Sequence, residues 1–192
     1  MNAQEYVGEI IESSTTEFIA ETRELHQSPP FGAFVRVDSD PRIFGIVYNV
    51  CTHSIEPNRR PTAYGKTEEE LRFEQPQIFE LLRTEFQALI LGHQDGGGLR
   101  QLLPPQPPRM HSFVYECTSR EIREFTSSWD FLRGILSAPK APVDEIMIAA
   151  IRNAHRSQRE NFRYLVRTGK ELSRLLRSDY DRLSSIIRRI QE

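Results

Sequence analysis

The sequence predicts an α+β fold: a small closed or partly open β-barrel with accessory helices, followed by a long C-terminal helix or helical hairpin. Three observations carry this. The first hundred residues hold short runs rich in β-branched and aromatic side chains, separated at regular intervals by turn signals, which is the pattern of a barrel or sandwich. Closing into a barrel removes the unpaired edges of such strands. Thr67 with Glu70, and Thr118 with Glu121, are capping boxes that open helices within the body. Residues 143–191 then place apolar side chains at alternating spacings of three and four.

The elements follow in order. Tyr6 to Ile11 is short and apolar-leaning, and Ser13-Ser14-Thr15-Thr16 turns the chain. Phe18 to Leu25 alternates, with Phe18, Ala20, Thr22 and Glu24 on one face. After Pro29-Pro30, the run Phe31 to Val37 puts Phe31, Ala33, Val35 and Val37 on one face, and Asp38-Ser39-Asp40-Pro41 is a turn. Ile43 to Ile55 is a long strand in which Gly45 marks a bend or bulge. Glu56 to Thr67 is a polar loop; a helix follows it, interrupted at Pro76, with Ile78, Leu81, Leu82 and Glu85 at helical spacing. Phe86 to Leu91 reads as strand, Gly92 to Gly98 as a flexible turn, and Gln101 to Arg109, with four prolines, as an extended connector. His111 to Cys117 supplies a last strand. A helix from Thr118 to about Ser137 carries Ile122, Phe125, Trp129, Leu132 and Leu136 on one face.

Several of these stretches resemble a known family. Val7-Gly8-Glu9-Ile10-Ile11-Glu12-Ser13-Ser14-Thr15-Thr16-Glu17-Phe18, Pro30-Phe31-Gly32-Ala33-Phe34-Val35 and Ile43-Phe44-Gly45-Ile46-Val47 look like a HAS-barrel. This is the small barrel of HerA-type DNA-translocating ATPases and of the rotary ATP synthase catalytic-ring subunits. Glu74 to Phe86 and Leu103 to Val114 are similar to stand-alone HAS-barrel proteins of cyanobacterial type. The resemblance spans roughly residues 5–137 and implies an assembly or docking module. It departs from the ATPases in having no P-loop domain. Gly65-Lys66-Thr67 imitates the end of a P-loop, but the motif needs glycine where Arg60 stands and an apolar strand leading in. Thr67 is therefore read as a helix cap.

Composition narrows the function. The chain has 192 residues, 38% hydrophobic and 27% charged, with a formal net charge of −2. No apolar run reaches the ~18 residues of a membrane span, and the N-terminus lacks the basic and apolar regions of a signal peptide. A cytoplasmic protein without membrane insertion is expected. The charge is uneven: residues 1–142 carry 14 basic and 20 acidic side chains, residues 143–192 carry 11 and 7. The change falls at Pro139-Lys140-Ala141-Pro142. The expected division is a body at 1–137, a linker at 138–142 and a helical tail at 143–192, with the body able to fold without the tail.

Candidate chemistry is sparse. Cys51 and His53 share a strand face, as do His111 and Cys117; were these strands neighbours, four soft ligands could bind zinc, or a Cys-His pair could form a nucleophile. No catalytic residue, cofactor or resident metal is assigned. Gly96-Gly97-Gly98 with Arg100 is read as a hairpin tip, and Pro104 to Pro108 as a rigid connector.

The tail is the most regular segment. Ile148, Ile151, His155, Gln158, Phe162, Leu165, Gly169, Leu172, Leu176, Asp179, Leu183, Ile186 and Ile190 keep one heptad register. As one helix it would reach roughly 70 Å at ~1.5 Å per residue; as a hairpin it would reverse near His155–Glu160 or at Thr168-Gly169. Leu172, Leu176, Leu183, Ile186 and Ile190 form the expected contact seam, flanked by Arg163, Arg167, Arg174 and Arg177. The expectation is a non-enzymatic assembly or adaptor protein that docks on a protein partner, or on itself, through the tail. Two alternatives stand beside it: a nucleic-acid- or ribosome-associated factor using the tail arginines, and a metal protein or enzyme around Cys51 and His53.

Overall fold

The fold is taken from a computed structural model, which describes residues 5–56, 61–138 and 141–191. Six strands close into a barrel: β1 (Gly8–Ser13), β2 (Glu17–Thr22), β3 (Phe34–Val37), β4 (Arg42–Ser54), β5 (Leu82–Asp95) and β7 (Phe113–Glu116). All pairings are antiparallel, in the order β2-β1-β7-β3-β4-β5, and β2 meets β5 to complete the ring. A short β6 (Gly98–Arg100) adds a hairpin at the edge of β5.

Alternation decides what fills the barrel. Ile10, Phe18, Ala20, Ala33, Val35, Val37, Ile43, Val47, Phe86, Ala88, Ile90 and Val114 form one buried cluster inside it. The intervening residues Phe34, Phe44, Ile46, Tyr48, Leu89 and Leu91 are buried too, in a second cluster on the outer face. Strands buried on both faces read as continuous apolar runs, which is why Ile43 to Tyr48 shows no alternation. Gly45 sits at a bulge in the β4–β5 register, as its place in that run predicts. The strand expected from Phe31 begins only at Phe34: Gly32 takes a left-handed φ of +80°, and Phe31 is left outside the ladder. β5 is longer than expected at both ends, taking in Leu82 to Glu85, which had helical spacing, and Gly92 to Asp95.

Helices α1 (Glu68–Glu74) and α2 (Gln77–Glu80) cap the far end of the β4–β5 hairpin. Of the other five helices, α3 (Ser119–Phe125), α4 (Asp130–Leu136) and α5 (Val143–Ser157) lie on the outer apolar face, and α6 (Phe162–Leu175) and α7 (Tyr180–Gln191) pack on α5. Both capping boxes are present, at Thr67/Glu70 and Thr118/Glu121. The expected helix over 118–137 is two helices, broken at Thr126–Trp129. Ile122, Phe125 and Leu132 still point into the core, with Trp129 and Leu136 partly buried against it.

The tail is three helices, which corrects the single long helix, while the reversal expected near His155–Glu160 is present and the one at Thr168-Gly169 is not. It reverses first at Gln158–Asn161, where Arg159 and Glu160 take left-handed φ, and again at Leu176–Asp179. Its apolar residues share a single buried cluster with the outer barrel face and with α3 and α4. The linker position lies between α4 and α5, with Pro139 and Lys140 outside the described residues. Also outside them are residues 57–60 of the expected loop, Arg60 included. No helix among the described residues is long and apolar enough to cross a membrane.

Candidate functional site

The expected contact seam faces inward. Leu172 and Ile186 are essentially inaccessible, Leu176 and Leu183 are buried, and Ile190 packs partly buried against the same cluster. The tail has the protein's own body to cover, and apolar side chains at helical spacing satisfy that need first. These five residues are core, not a surface offered to a partner. Two arginines of α7 are structural as well. Arg182 pairs with Asp144 at 2.6 Å and Arg189 with Glu145 at 2.5 Å, tying α7 to the start of α5. The Arg189 hydrogen bond pulls the Glu145 carboxyl below its usual range.

What faces outward is the opposite side of α6. Arg163, Arg167, Lys170 and Arg174 recur at spacings of four, three and four, which sets them along one stripe of α6, and Arg177 follows in the turn after the helix; all are exposed. Arg174 pairs with Glu171 at 3.1 Å. Among the described residues, Arg163, Arg167, Lys170 and Arg177 have no carboxylate partner. Beside this stripe stand Phe162, 74% exposed, and Val166, 43% exposed, one helical turn apart. Phe162 escapes burial because it is the first residue of α6, held there by Asn161, whose side chain accepts a hydrogen bond from the Arg163 N–H.

A second cluster lies on the projecting β4–β5 hairpin. Cys51 and Glu85 are directly opposite in the ladder, and His53 follows Cys51 on the same face. His53 Nε2 is 3.4 Å from Glu85 Oε1, and Cys51 Sγ is 3.9 Å from His53 Nδ1. Burial, and then the Glu85 charge, push the Cys51 thiol up, so the pair lacks the lowered thiol of an activated nucleophile. The other two expected ligands are elsewhere. His111 lies in the turn before β7 against Glu9, at 2.7 Å, and Cys117 packs against the outer core, its thiol pushed strongly up, first by burial and then by Glu121. The four-ligand grouping Cys51, His53, His111 and Cys117 does not form, because the β4 residues concerned pair only with β5. Glu85 was missed because helical spacing placed it in a helix; only the strand register brings it beside Cys51.

The P-loop imitation is closed by its own contacts. Lys66 pairs with Glu74, and the Thr67 hydroxyl caps α1. Pro108 is buried, and its carbonyl accepts a hydrogen bond from the Ser13 hydroxyl at 2.6 Å, so the proline run is a strap on the barrel. Arg36 clamps α3 to the wall, with Nε 2.8 Å from Glu121 and its guanidinium over the Tyr115 ring.

The family model for the HAS barrel domain matches residues 7–96. Residues 7–96 are a HAS barrel domain. The match ends at Gly96, whereas β7, which closes the HAS barrel between β1 and β3, lies some sixteen residues beyond it. The domain in this chain is thus completed by a strand outside the matched stretch. No curated protein matches the chain.

Proposed function

We propose that the protein is a non-enzymatic assembly or adaptor module. The HAS barrel serves as scaffold, and the outward face of α6 docks on an acidic protein surface. The observation that carries this reading is the stripe of cations on α6, beside exposed Phe162 and Val166. Like charges three and four residues apart on a helix repel by ~0.2–0.5 kcal/mol per pair. A partner's carboxylates would relieve that cost, and arginine suits them through its bidentate fork. An apolar pair next to charge is the composition of a small interface core with a polar rim. Docking through α6 leaves Leu172, Leu176, Leu183 and Ile186 in the core, where the fold needs them.

The test is affinity capture from the source cell's extract by the full-length protein and by an Arg163→Glu/Arg167→Glu variant, with and without nuclease. A stoichiometric protein, retained after nuclease and lost with the variant, supports docking on protein. Recovery that collapses on nuclease treatment overturns it in favour of nucleic acid held by the same arginines. Capture that the variant does not alter removes α6 from the reading.

A further inference from the structure

We propose that Cys51, His53 and Glu85 form a binding site for a first-row divalent metal ion, with zinc the best match. Among the described residues, these three offer a sulfur, a ring nitrogen and a carboxylate oxygen that all lie within 4.8 Å of one another. The set is chemically selective. Thiolate and imidazole are borderline-to-soft ligands that suit zinc, cobalt or nickel and do not suit calcium or magnesium.

The backbone holds the three together. Cys51 and His53 are two residues apart on β4, which puts both side chains on one face of the pleat. Glu85 is the direct cross-strand partner of Cys51 on β5, so its side chain rises from the same face. Ladder pairs on both sides, Val50 with Phe86 and Thr52 with Thr84, fix this register, and a hydrogen bond from the Ile55 N–H to the Leu81 carbonyl closes the hairpin end. The remaining adjustment is small. Tetrahedral zinc, with ligand bonds of ~2.0–2.3 Å, needs its donors a little closer than they stand, and the His53 side chain, about half exposed, has room to turn. Three protein ligands leave one position for water, the arrangement of an open zinc site.

The site is independent of the α6 face. It also differs from an ordinary surface ion pair, because the thiol makes no contribution to a His–Glu pair yet supplies the strongest zinc ligand. The chain's other cysteine is a built-in control, since Cys117 is packed in the outer core away from any such set.

The experiment is a titration of full-length, chelator-stripped, reduced protein with cobalt(II), followed by competition with zinc. One equivalent is expected to bind, with a thiolate-to-cobalt charge-transfer band in the near ultraviolet and the visible bands of a four-coordinate ion. Zinc should bleach both. Cys51→Ser is expected to abolish the charge-transfer band. His53→Gln and Glu85→Gln should each keep the band but weaken binding at least about tenfold. Cys117→Ser should change nothing. Far-ultraviolet circular dichroism establishes that each variant is folded; His53→Gln, at an exposed position, serves if Cys51→Ser is not. The proposal is overturned if no stoichiometric binding occurs, if Cys51→Ser retains the band, or if Cys117→Ser removes it.

Discussion

Leu172→Ala is expected to destabilise the whole protein, not only the helix that carries the residue. Leu172 is fully buried in the cluster that joins α5, α6 and α7 to the outer face of the barrel. The substitution removes three carbons, worth ~0.8 kcal/mol each or about 2.4 kcal/mol of transfer free energy. A cavity term adds to this. It stays near ~1 kcal/mol, because Ile187 and Ile190 are only partly buried and already border a cavity of about 50 Å³ beside Leu172, so they can lean inward. The sum is about 3 kcal/mol, or a fall of roughly 6–12 °C in Tm for a chain of this size. The assay is a urea melt read by two signals. Trp129, the single tryptophan, donates to the Thr168 hydroxyl at 3.1 Å and stacks on Tyr164, so its fluorescence reports the seat of α6 on α4. Circular dichroism reports the barrel and all helices. Both midpoints should fall together. A tryptophan transition that moves while the barrel's does not would refute the shared core and make α5 to α7 a separable unit.

A fragment ending at Ser137 is expected to lose cooperative melting or to precipitate, since it strips α5 from the apolar faces of α3, α4 and β4 on which it packs; a sharp, reversible melt would contradict this. Gly32→Ala is expected to cost more than ~1 kcal/mol, because Gly32 has φ +80° and an added Cβ would stand 2.4 Å from the Ala149 Cβ on α5; the thermal midpoint reads the effect. Glu121→Gln tests a pH linkage. Burial raises the Glu121 carboxyl, but the Thr118 N–H and hydroxyl, with Arg36, outweigh it and hold the group below its usual range. A depressed carboxyl stabilises above its unfolded value, ~4.3, and that stability is lost as pH falls through the folded value. The variant should therefore be less stable by about 1 kcal/mol at neutral pH, discounted for partial solvation. The gap between the two proteins should close below pH ~4, as measured by urea melts across pH. Arg163→Glu/Arg167→Glu should leave the melt within ~0.5 kcal/mol of the parent, since neither side chain has a partner to lose among the described residues.

The barrel was legible in the sequence because its signals are local. Period-two alternation in Phe18 to Thr22, the Asp38–Pro41 turn and the glycine of the bulge each act within a few residues. Both capping boxes were read for the same reason. The tail was legible as helical, with a reversal near His155–Glu160 among its readings, but helical periodicity does not count helices. Three amphipathic helices joined by two four-residue turns keep a seven-residue phase, so the register runs through Gln158 and Asp179 unbroken. The polar seam positions were the available clue. Gln158 ends α5, and Asp179 accepts a hydrogen bond from the Arg182 N–H at the start of α7. Asn161 does the same for α6. Read as caps, they mark the two reversals. The metal-ligand set was half legible. Cys51 and His53 share a face by strand period alone, but Glu85 joins them only through a register between strands thirty residues apart.

The helical coat on β3, β4 and β5 also fixes how copies of this barrel can neighbour one another. That wall is spent on α3 to α7 and cannot abut another barrel without stripping them off. Side-by-side packing would have to use the wall of β1, β2 and β7, which carries no helix among the described residues and where Glu9 and Glu21 sit in register beside stacked Tyr6 and Phe113. One open wall admits a back-to-back pair. A closed ring built on barrel walls alone needs two different ones, so larger symmetric assemblies would have to borrow their second contact from the helices.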